Sequence, residues 1–303
     1  HISMFGVATL KEAIDLRNIG IQQDILVLGA IPIEDLDLVI HYDITLSLFS
    51  KEYMAEIQKL YHHHKPVKVH IKIDTGMNRI GLKSKAEFED ILACCQNSMF
   101  QVDGVFTHFA TADDEMQNDA YEQQIQMFYD IIGQHSFRYV HCQNSAAMMY
   151  HQDDRSNLAR IGIAMYGVDP SGEECQALKQ VMSLYTRVSM IKQVKKGERI
   201  GYGLTYTALE DEYIATLPIG YADGLIRANQ GREVYIEGHY YPIVGRVCMD
   251  QMMVKVDQNV HLHDRVEIFG EHITLARMAK ELSTIPYEIV CLVSERVERI
   301  YKK

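Results

Sequence analysis

Short apolar runs alternate with amphipathic stretches through the first half of the chain. Residues 10–19 carry apolar side chains three or four positions apart, which predicts a helix, and Gly20 ends it. The next run, at residues 25–29, is continuously apolar, which is typical of a strand buried on both faces. The same alternation predicts seven strands, at residues 5–8, 25–29, 44–49, 67–74, 105–110, 139–144 and 158–166. Continuous apolar strands separated by helices predict a parallel sheet.

Repeated strand–helix units without an evident reversal of strand order favour one architecture, an α/β barrel of the (β/α)8 TIM-like type. Seven strands are one short of closure. We therefore expect the first βα unit to be missing, with the absent strand and helix preceding His1. The barrel is expected to occupy residues 1–175.

The pattern changes in the second half, where short strands are separated by frequent glycines. Strands are predicted at residues 184–193, 213–217, 234–237, 239–244, 251–256 and 265–269, and a helix capped by Thr274 at residues 274–282. Short strands punctuated in this way predict a mostly antiparallel β domain, which we place at residues 176–303.

Composition and charge exclude several classes of protein. The 303 residues are 47% hydrophobic, which is globular, and the net charge of −11 makes nucleic acid and anionic membrane surfaces poor partners. No apolar run is long enough to span a bilayer, and the six scattered cysteines do not form a disulfide framework, so we expect a cytoplasmic protein. Three consecutive histidines, 62–64, fan around a helix axis and cannot share one metal ion, so no metal site is predicted.

Polar side chains lie near the carboxyl ends of the predicted barrel strands, where barrel enzymes hold their active sites. Alternation in residues 67–74 places Lys72 on one face with His70 and Asp74. Arg79 follows in a glycine-containing loop, and His108 lies near the end of the next strand. Each has a simpler interpretation, namely a solvated strand face for Lys72, a solvated loop for Arg79 and a core histidine for His108.

The two last barrel strands suggest a phosphate site. Counted in a complete barrel they are strands seven and eight, and the loops after those strands are the usual phosphate site of this fold. Ser145 offers a hydroxyl there, while Gly162 and Ile163 offer backbone N–H groups. Glycine allows a phosphate to approach the backbone closely. The sequence thus predicts a phosphorylated ligand at the barrel mouth.

Eight segments, in order along nearly the whole chain, together resemble the alanine racemase family. They are KIDTGMNRIG (72–81), THFATAD (107–113), QNSAA (143–147), RIGI (160–163), GYGLTY (201–206), PIGYADG (218–224), GRVCMDQ (245–251) and IPYE (285–288). The resemblance implies interconversion of L- and D-alanine through a pyridoxal 5'-phosphate aldimine and two bases, which supplies D-alanine for bacterial peptidoglycan.

The resemblance also implies how the cofactor is held. Arg160 should face the pyridine nitrogen, with His108 beside it and the ring. An arginine there does not readily give up a proton, so the ring nitrogen stays unprotonated and the ring is a weaker electron sink. The phosphate should be held by Ser145, Gly162, Ile163 and Tyr287.

Further roles are implied for the substrate side. Arg79 should contact the cofactor's phenolic oxygen and the substrate carboxylate, oriented by Lys72, which is often carbamylated in the family. Tyr202 should be one of the two catalytic bases. The backbone N–H of Met249 should hold the substrate carboxylate, with Asp250 nearby, and Tyr221 should narrow the entrance. In the family these last four residues reach the other subunit's barrel, which implies a homodimer with shared active sites.

One part of the family pattern has no counterpart here. The lysine that forms the aldimine lies on the family's first barrel strand, in a segment that nothing in this chain resembles. We therefore expect the chain as written to lack that lysine, the second base and a phosphate-binding tyrosine. Such a chain is expected to racemise no amino acid at a useful rate.

Three other interpretations compete with alanine racemisation. A serine racemase of the glycopeptide-resistance type would share the scaffold and carry a membrane domain upstream. A protein that only stores pyridoxal phosphate would be a single barrel without the β domain, Tyr202 or Met249. A catalytically inactive fragment is the third.

Overall fold

The computed structural model describes residues 2–62, 64–96 and 99–302 and divides the chain into two compact units, residues 1–162 and 163–303. His63, within the histidine run, lies outside the described residues. Strands of the first unit are β1 Met4–Val7, β2 Asp24–Val27, β3 Thr45–Leu48, β4 Val67–Lys72, β5 Phe100–Phe106 and β6 Tyr139–His141. Its helices are α1 Leu10–Asn18, α2 Leu36–His41, α3 Lys51–Leu60, α4 Lys85–Cys94, α5 Asn118–Ile132 and α6 Ser145–Tyr150.

Polar caps begin several of these helices. The side chains of Thr9, Ser50 and Ser84 each accept a hydrogen bond from the third residue of the helix that follows, at the start of α1, α3 and α4. Asn144 caps α6 in the same way through the amide of Ala147 at 2.9 Å. The cap on α6 fixes where Ser145 begins the helix.

The first unit is a parallel sheet with strand order β1-β2-β3-β4-β5-β6, so each strand pairs with the next one in sequence. Its central strands are buried on both faces, as β3 shows with four buried residues of four. Helices that follow the strands pack on the sheet through residues such as Ala13, Ile57 and Phe128. Six sequential parallel strands joined by helices confirm the TIM-like barrel class and hold the ends of β4, β5 and β6 side by side.

Two strand predictions were wrong. Residues 158–166 do not form a seventh strand. This segment runs beside β6 but makes only two separated backbone hydrogen bonds there, from Asn157 N to Val140 O and from Arg160 N to Gln143 O, both at 2.9 Å. Ile163–Tyr166 forms a 3₁₀ turn. An apolar run becomes a strand only with a continuous ladder to a neighbour. Residues 184–193 form two strands rather than one, because Val188 N donates to Asp264 O and Ser189 N to Thr216 O, both at 3.0 Å, so the chain changes its pairing partner there.

The second unit is mostly antiparallel, as predicted. Its strands are β7 Leu184–Arg187, β8 Met190–Val194, β9 Arg199–Ile200, β10 Tyr206–Thr207, β11 Glu212–Leu217, β12 Glu233–Ile236, β13 His239–Val244, β14 Met252–Val256 and β15 Arg265–Phe269. Seven form one sheet, in the order β7-β15-β12-β13-β14-β11-β8, and β9 pairs with β10. A separate core fills this unit, with Val254 and Phe269 among its fully buried members.

Two helices complete the second unit. α7, Leu275–Leu282, is capped by Thr274, whose side chain accepts from Arg277 N, and this confirms the predicted cap. α8, Pro286–Leu292, was not predicted, although proline at its first position is a known helix-start signal. Tyr287 lies on α8. Among the residues that the structure describes, no helix combines the length and the apolar run that crossing a membrane requires.

Candidate active site

Lys72 is the last residue of β4, and its side chain is buried. Its Nζ donates to the backbone oxygen of Ile73 at 3.0 Å and lies 5.2 Å from the centre of the Phe106 ring. Burial, together with the neighbouring cations Arg160 and Arg79, lowers the pKa of Lys72 to about 7. A large share of this amine is therefore uncharged at neutral pH.

The loop after β4 doubles back on the strand. One carboxylate oxygen of Asp74 accepts hydrogen bonds from the amides of Gly76 and Asn78, each at 3.0 Å. Gly81 has φ +129°, and a Cβ there would lie 2.6 Å from the Asp74 nitrogen. Only glycine therefore fits where the loop comes back against the end of β4. The loop holds Arg79 exposed, and no described residue accepts a hydrogen bond from its guanidinium.

Arg160 reaches across the ends of β5 and β6. Its Nη1 donates to the backbone oxygen of His141 at 2.8 Å and to Nδ1 of the same residue at 2.9 Å. Its Nη2 donates to Thr107 O at 2.7 Å, with longer contacts to Cys142 O at 3.3 Å and His108 Nδ1 at 3.4 Å. Within the described residues the Nε–H has no acceptor. The side chain is fixed, and one donor is left for a ligand.

The charge around Arg160 is not balanced by acids. No carboxylate of the described residues forms an ion pair with Arg160 or Arg79. Burial lowers the pKa of Arg160 to about 10, so it stays charged at neutral pH. Burial and Arg160 lower the pKa of His108 to about 3, so His108 is neutral there. Two guanidiniums and a partly charged Lys72 thus favour an anionic ligand.

A chain of hydrogen bonds leads from Arg160 into the sheet. His141 Nε2 lies 2.8 Å from His70 Nδ1, and both rings are fully buried. A guanidinium only donates, so His141 must accept at Nδ1 and donate from Nε2. His70 then accepts at Nδ1, and its Nε2 is a buried atom with no partner among the described residues. Burial lowers the pKa of both histidines, which agrees with two neutral rings.

The residues predicted to hold a phosphate fall in both units. The structure brings Ser145 and Gly162 together, because Gly162 N donates to Ser145 Oγ at 2.9 Å. Ile163 is the next residue and begins the second unit, with its side chain buried in that core. Tyr287 is partly exposed on the second unit's α8.

Tyr202 lies in the second unit, exposed at the start of the 3₁₀ turn Tyr202–Leu204. The glycines on either side, Gly201 and Gly203, have φ near +70°. A Cβ on Gly203 would lie 2.7 Å from Arg246 Nη1, so the loop passes directly against a guanidinium.

The remaining residues for which the resemblance implies a substrate role share two adjacent loops of the second unit. Tyr221 N donates to Cys248 O, and Ala222 N donates to Met249 O, both at 3.0 Å. Met249 and Asp250 are exposed. A cavity lined by Tyr202 and Cys248 connects these loops with the Tyr202 turn. The structure therefore brings Tyr202, Tyr221, Met249 and Asp250 into one region of this unit.

Gln124 is a buried residue of α5 that the sequence did not single out. Its Oε1 accepts from Ala110 N at 2.9 Å, and its Nε2 donates to Thr75 Oγ1 at 3.2 Å. Thr75 Oγ1 in turn lies 2.8 Å from Thr107 Oγ1. Gln124 therefore ties the loops after β4 and β5, which carry Arg79 and His108, to one helix.

Replacing Gln124 by Leu is expected to lower the free energy of unfolding by about 1–3 kcal/mol, since a buried amide and hydroxyl lose their partner. Gln123→Leu, at an exposed position of the same helix, is the control and is expected to stay within about 0.5 kcal/mol of wild type. Urea unfolding of the wild type, Gln124→Leu and Gln123→Leu measures the two changes in the free energy of unfolding. Equal stability of the two variants would contradict the role given to Gln124.

Lys72 is expected to make stability depend on pH. Its pKa is about 7 in the folded chain against an ordinary 10.5, so between these values the unfolded chain binds a proton that the folded one releases. The free energy of unfolding should therefore rise with pH in this window, by up to about 1.4 kcal/mol per pH unit. Lys72→Met should remove that slope, whereas Lys83→Met, at an exposed position, should keep it. Urea unfolding from pH 6.5 to 9, in buffer freed of carbon dioxide so that Lys72 keeps a free amine, decides this, and a variant with the wild-type slope would refute it.

Together, the parallel strands with their connecting helices and the cations at the strand ends, which have no ion-pair partner among the described residues, define a barrel-type fold with a positively charged candidate site. The sequence model of the alanine racemase N-terminal domain matches residues 1–170, and that of the C-terminal domain matches residues 181–301. The chain belongs to the alanine racemase family, whose members are isomerases. The family interpretation of the sequence is confirmed.

Three relatives show how far the similarity extends. The alanine racemase of Streptococcus uberis is 40% identical over 99% of this chain and 84% of its own length. A crystal structure of alanine racemase from Bacillus anthracis with bound L-Ala-P is 40% identical, covers 96% of this chain and 79% of that one, and gives a TM-score of 0.90. Histidine racemase from Leuconostoc mesenteroides is 28% identical over 98% of this chain and 83% of its own, with a TM-score of 0.88.

Proposed function

We propose that the protein interconverts L- and D-alanine with pyridoxal 5'-phosphate as cofactor, in the cytoplasm, and so supplies D-alanine for peptidoglycan. The observation that carries the proposal is Arg160, whose two terminal nitrogens donate to the barrel while its Nε–H has no acceptor among the described residues. Relatives named alanine racemase, one of them with L-Ala-P bound, support alanine as the substrate. They do not favour the serine alternative.

The residues of the first unit fit this cofactor. The free Nε–H of Arg160 suits a ring nitrogen that accepts, and neutral His108 can lie against the ring. Ser145 and Gly162, which are in contact through the Gly162 amide, would hold the phosphate. When bound, pyridoxal phosphate supplies an electron-withdrawing ring that makes the α-proton of an amino acid acidic.

Arg160 limits how strongly the ring withdraws electrons. Its pKa of about 10 keeps its protons at neutral pH, and neutral His141 holds it without supplying a counter-charge. A ring nitrogen that only accepts a hydrogen bond stays unprotonated. This suits racemisation, in which a proton leaves one face of the α-carbon and returns on the other.

Lys72 and Arg79 would act on the substrate side of the cofactor. The two have no hydrogen bond to each other, but their charges are close enough for Arg79 to lower the pKa of Lys72. An uncharged amine is the form that reacts with carbon dioxide, so burial prepares Lys72 for carbamylation. The carbamate anion would then orient Arg79 toward the phenolic oxygen and the substrate carboxylate.

We place the limits of the two domains at residues 1–175 and 176–303. In a homodimer, the second domain would complete the active site of the partner subunit. Tyr202 would exchange a proton with the α-carbon on one face. Met249 N–H would hold the substrate carboxylate with Asp250 nearby, and Tyr221 would narrow the entrance. Tyr202 and Tyr221 are both exposed in the single chain, as side chains that serve a partner would be.

Two experiments on the protein as its gene encodes it test this proposal. The first supplies L-alanine, L-serine and L-histidine with pyridoxal phosphate and follows loss of circular dichroism. We expect alanine to give the highest kcat/KM, and preference for either of the others would refute the proposed substrate.

The second experiment mixes two inactive variants, Tyr202→Phe and Arg160→Met. If each site takes Tyr202 from one subunit and Arg160 from the other, random heterodimers regain one intact site, and roughly a quarter of the wild-type activity returns. A mixture as inactive as its parents, after exchange of subunits is verified by mass spectrometry, would contradict the shared site.

A further inference from the structure

Arg296 follows α8 in a turn of the second unit closed by Val297 N donating to Ser294 O at 3.2 Å. Arg299 supports that turn from the other side, because its guanidinium donates to the backbone oxygens of Val293, Ser294 and Val297 at 2.6–2.8 Å. The backbone around Arg296 is thus held at several points.

The guanidinium of Arg296 joins two carboxylates. Its Nε lies 3.1 Å from Asp223 Oδ1, and its Nη2 donates to Asp250 Oδ1 at 2.8 Å. Asp223 is buried, while Asp250 is more than half exposed. One end of the bridge is therefore fixed in the core, and the other holds an exposed loop.

Asp223 is anchored independently of Arg296. Its Oδ2 accepts from Gly220 N at 2.8 Å, and its backbone oxygen accepts from Ser294 N at 3.2 Å. Gly220 itself lies against the Met249 loop, since a Cβ there would be 2.4 Å from the backbone oxygens of Cys248 and Met249. The loop of Asp223 and the loop of Asp250 therefore pack backbone to backbone, and Arg296 joins their side chains.

From these contacts we propose that Arg296 is a positioning residue for the substrate carboxylate. It fixes the turn that presents Met249 N–H, and it offsets the negative charge of Asp250, which would otherwise repel an incoming carboxylate. This inference deepens the proposed function, because it rests on the placement of Met249 and Asp250 at the substrate carboxylate. The Arg296 side chain is itself about half exposed, and ion pairs of exposed side chains add little stability, so the main effect of Arg296 falls on binding rather than on folding.

The test compares Arg296→Gln, Arg296→Lys, Asp250→Asn and the double variant Arg296→Gln/Asp250→Asn. In Arg296→Gln we expect the KM for alanine to rise about tenfold with kcat changed less than about threefold, because an unbalanced carboxylate then faces the substrate. Arg296→Lys should restore part of the affinity. The double variant should have a lower KM than Arg296→Gln, because the repelling charge is gone.

Arg187→Gln is the matched control. Arg187 is an exposed arginine of the same unit whose guanidinium donates only to His263 O, at 2.9 Å, among the described residues. Its removal should leave KM unchanged. An unchanged KM in Arg296→Gln, a parallel loss of kcat and thermal stability, or a double variant with the KM of Arg296→Gln would each overturn the proposal.

A second readout needs neither substrate nor turnover. Amide hydrogen exchange in residues 220–223 and 248–251 should accelerate about tenfold in Arg296→Gln and stay at the wild-type rate in Arg187→Gln. Unchanged exchange would overturn the positioning role. If the wild-type protein forms no D-alanine, the proposed function fails by itself, and the exchange rates still decide whether Arg296 fixes these loops.

Discussion

In the protein as its gene encodes it, replacing Tyr202 by Phe is expected to slow alanine racemisation by about 10²- to 10⁴-fold, which is the range that a positioned acid–base group contributes. The change removes one hydroxyl from an exposed ring and leaves the glycines of its turn in place. Stability should therefore change by less than about 0.5 kcal/mol. Chiral chromatography of D-alanine formed from L-alanine measures the rate.

Solvent isotope exchange sharpens this test. With one base absent and the other in place, the α-hydrogen of one alanine enantiomer should still exchange with deuterated solvent, while exchange from the other enantiomer is lost. Tyr221→Phe is the control, because that residue is placed at the entrance and should retain exchange from both enantiomers. Wild-type rates in Tyr202→Phe, or equal loss of both exchanges, would contradict the assignment of Tyr202 as a base for one face.

Replacing Arg160 by Met is expected to lower the free energy of unfolding by at least about 2 kcal/mol, because His141 Nδ1 and two or more backbone oxygens lose their donor. The same variant should lose most of its affinity for pyridoxal phosphate, since the cation that we propose to face the ring is gone. Urea unfolding and fluorescence titration of the cofactor measure the two effects.

Arg79→Met is the control that separates the loss of stability expected in Arg160→Met from its loss of cofactor affinity. Arg79 is exposed and has no hydrogen-bond acceptor among the described residues, so its loss should change stability by less than about 0.5 kcal/mol. Arg160→Lys should recover part of the stability, because an ammonium keeps the charge but has fewer donors than the guanidinium. An Arg160→Met variant as stable as Arg79→Met would show that the contacts of Arg160 do not hold the strand ends together.

The barrel strands could be predicted because short apolar stretches, continuous at residues 25–28 and alternating with polar residues at 67–74, recur between helical patterns. Residues 158–166 carry the same signal but form no strand, since a strand also depends on what pairs with it, and no single run contains that information. Leu184–Arg187 and Met190–Val194 were merged for a related reason, because the change of pairing partner at residues 188–189 is marked by neither glycine nor proline.

The candidate site was predictable in its residue types but not in its contacts. Arg160, Lys72 and Arg79 stand out as charges beside apolar strands, and the family resemblance gave each a role. The acceptors of Arg160 are mostly backbone oxygens of β5 and β6, which every residue possesses, so no sequence pattern marks them. His141 and His70 were visible as polar residues on strands, but their hydrogen bond joins positions 71 residues apart.

Arg296 and Gln124 illustrate a further limit. Both act by joining loops that are distant in the chain, and an arginine after a helix or a glutamine within one has an ordinary solvated interpretation. Only the measured distances to Asp223 and Asp250, or to Ala110 and Thr75, separate a bridging residue from a solvated one.

Racemisation that depends on pyridoxal phosphate is tested most directly by titrating the protein, as its gene encodes it and freed of bound cofactor, with pyridoxal phosphate while D-alanine formation from L-alanine is measured. We expect no activity without the cofactor, a saturable gain as it is added, and loss of that gain in Arg160→Met at the same cofactor concentrations. Saturation with pyridoxal phosphate without formation of D-alanine, or full activity in its absence, would show that the protein is not a pyridoxal-phosphate-dependent alanine racemase.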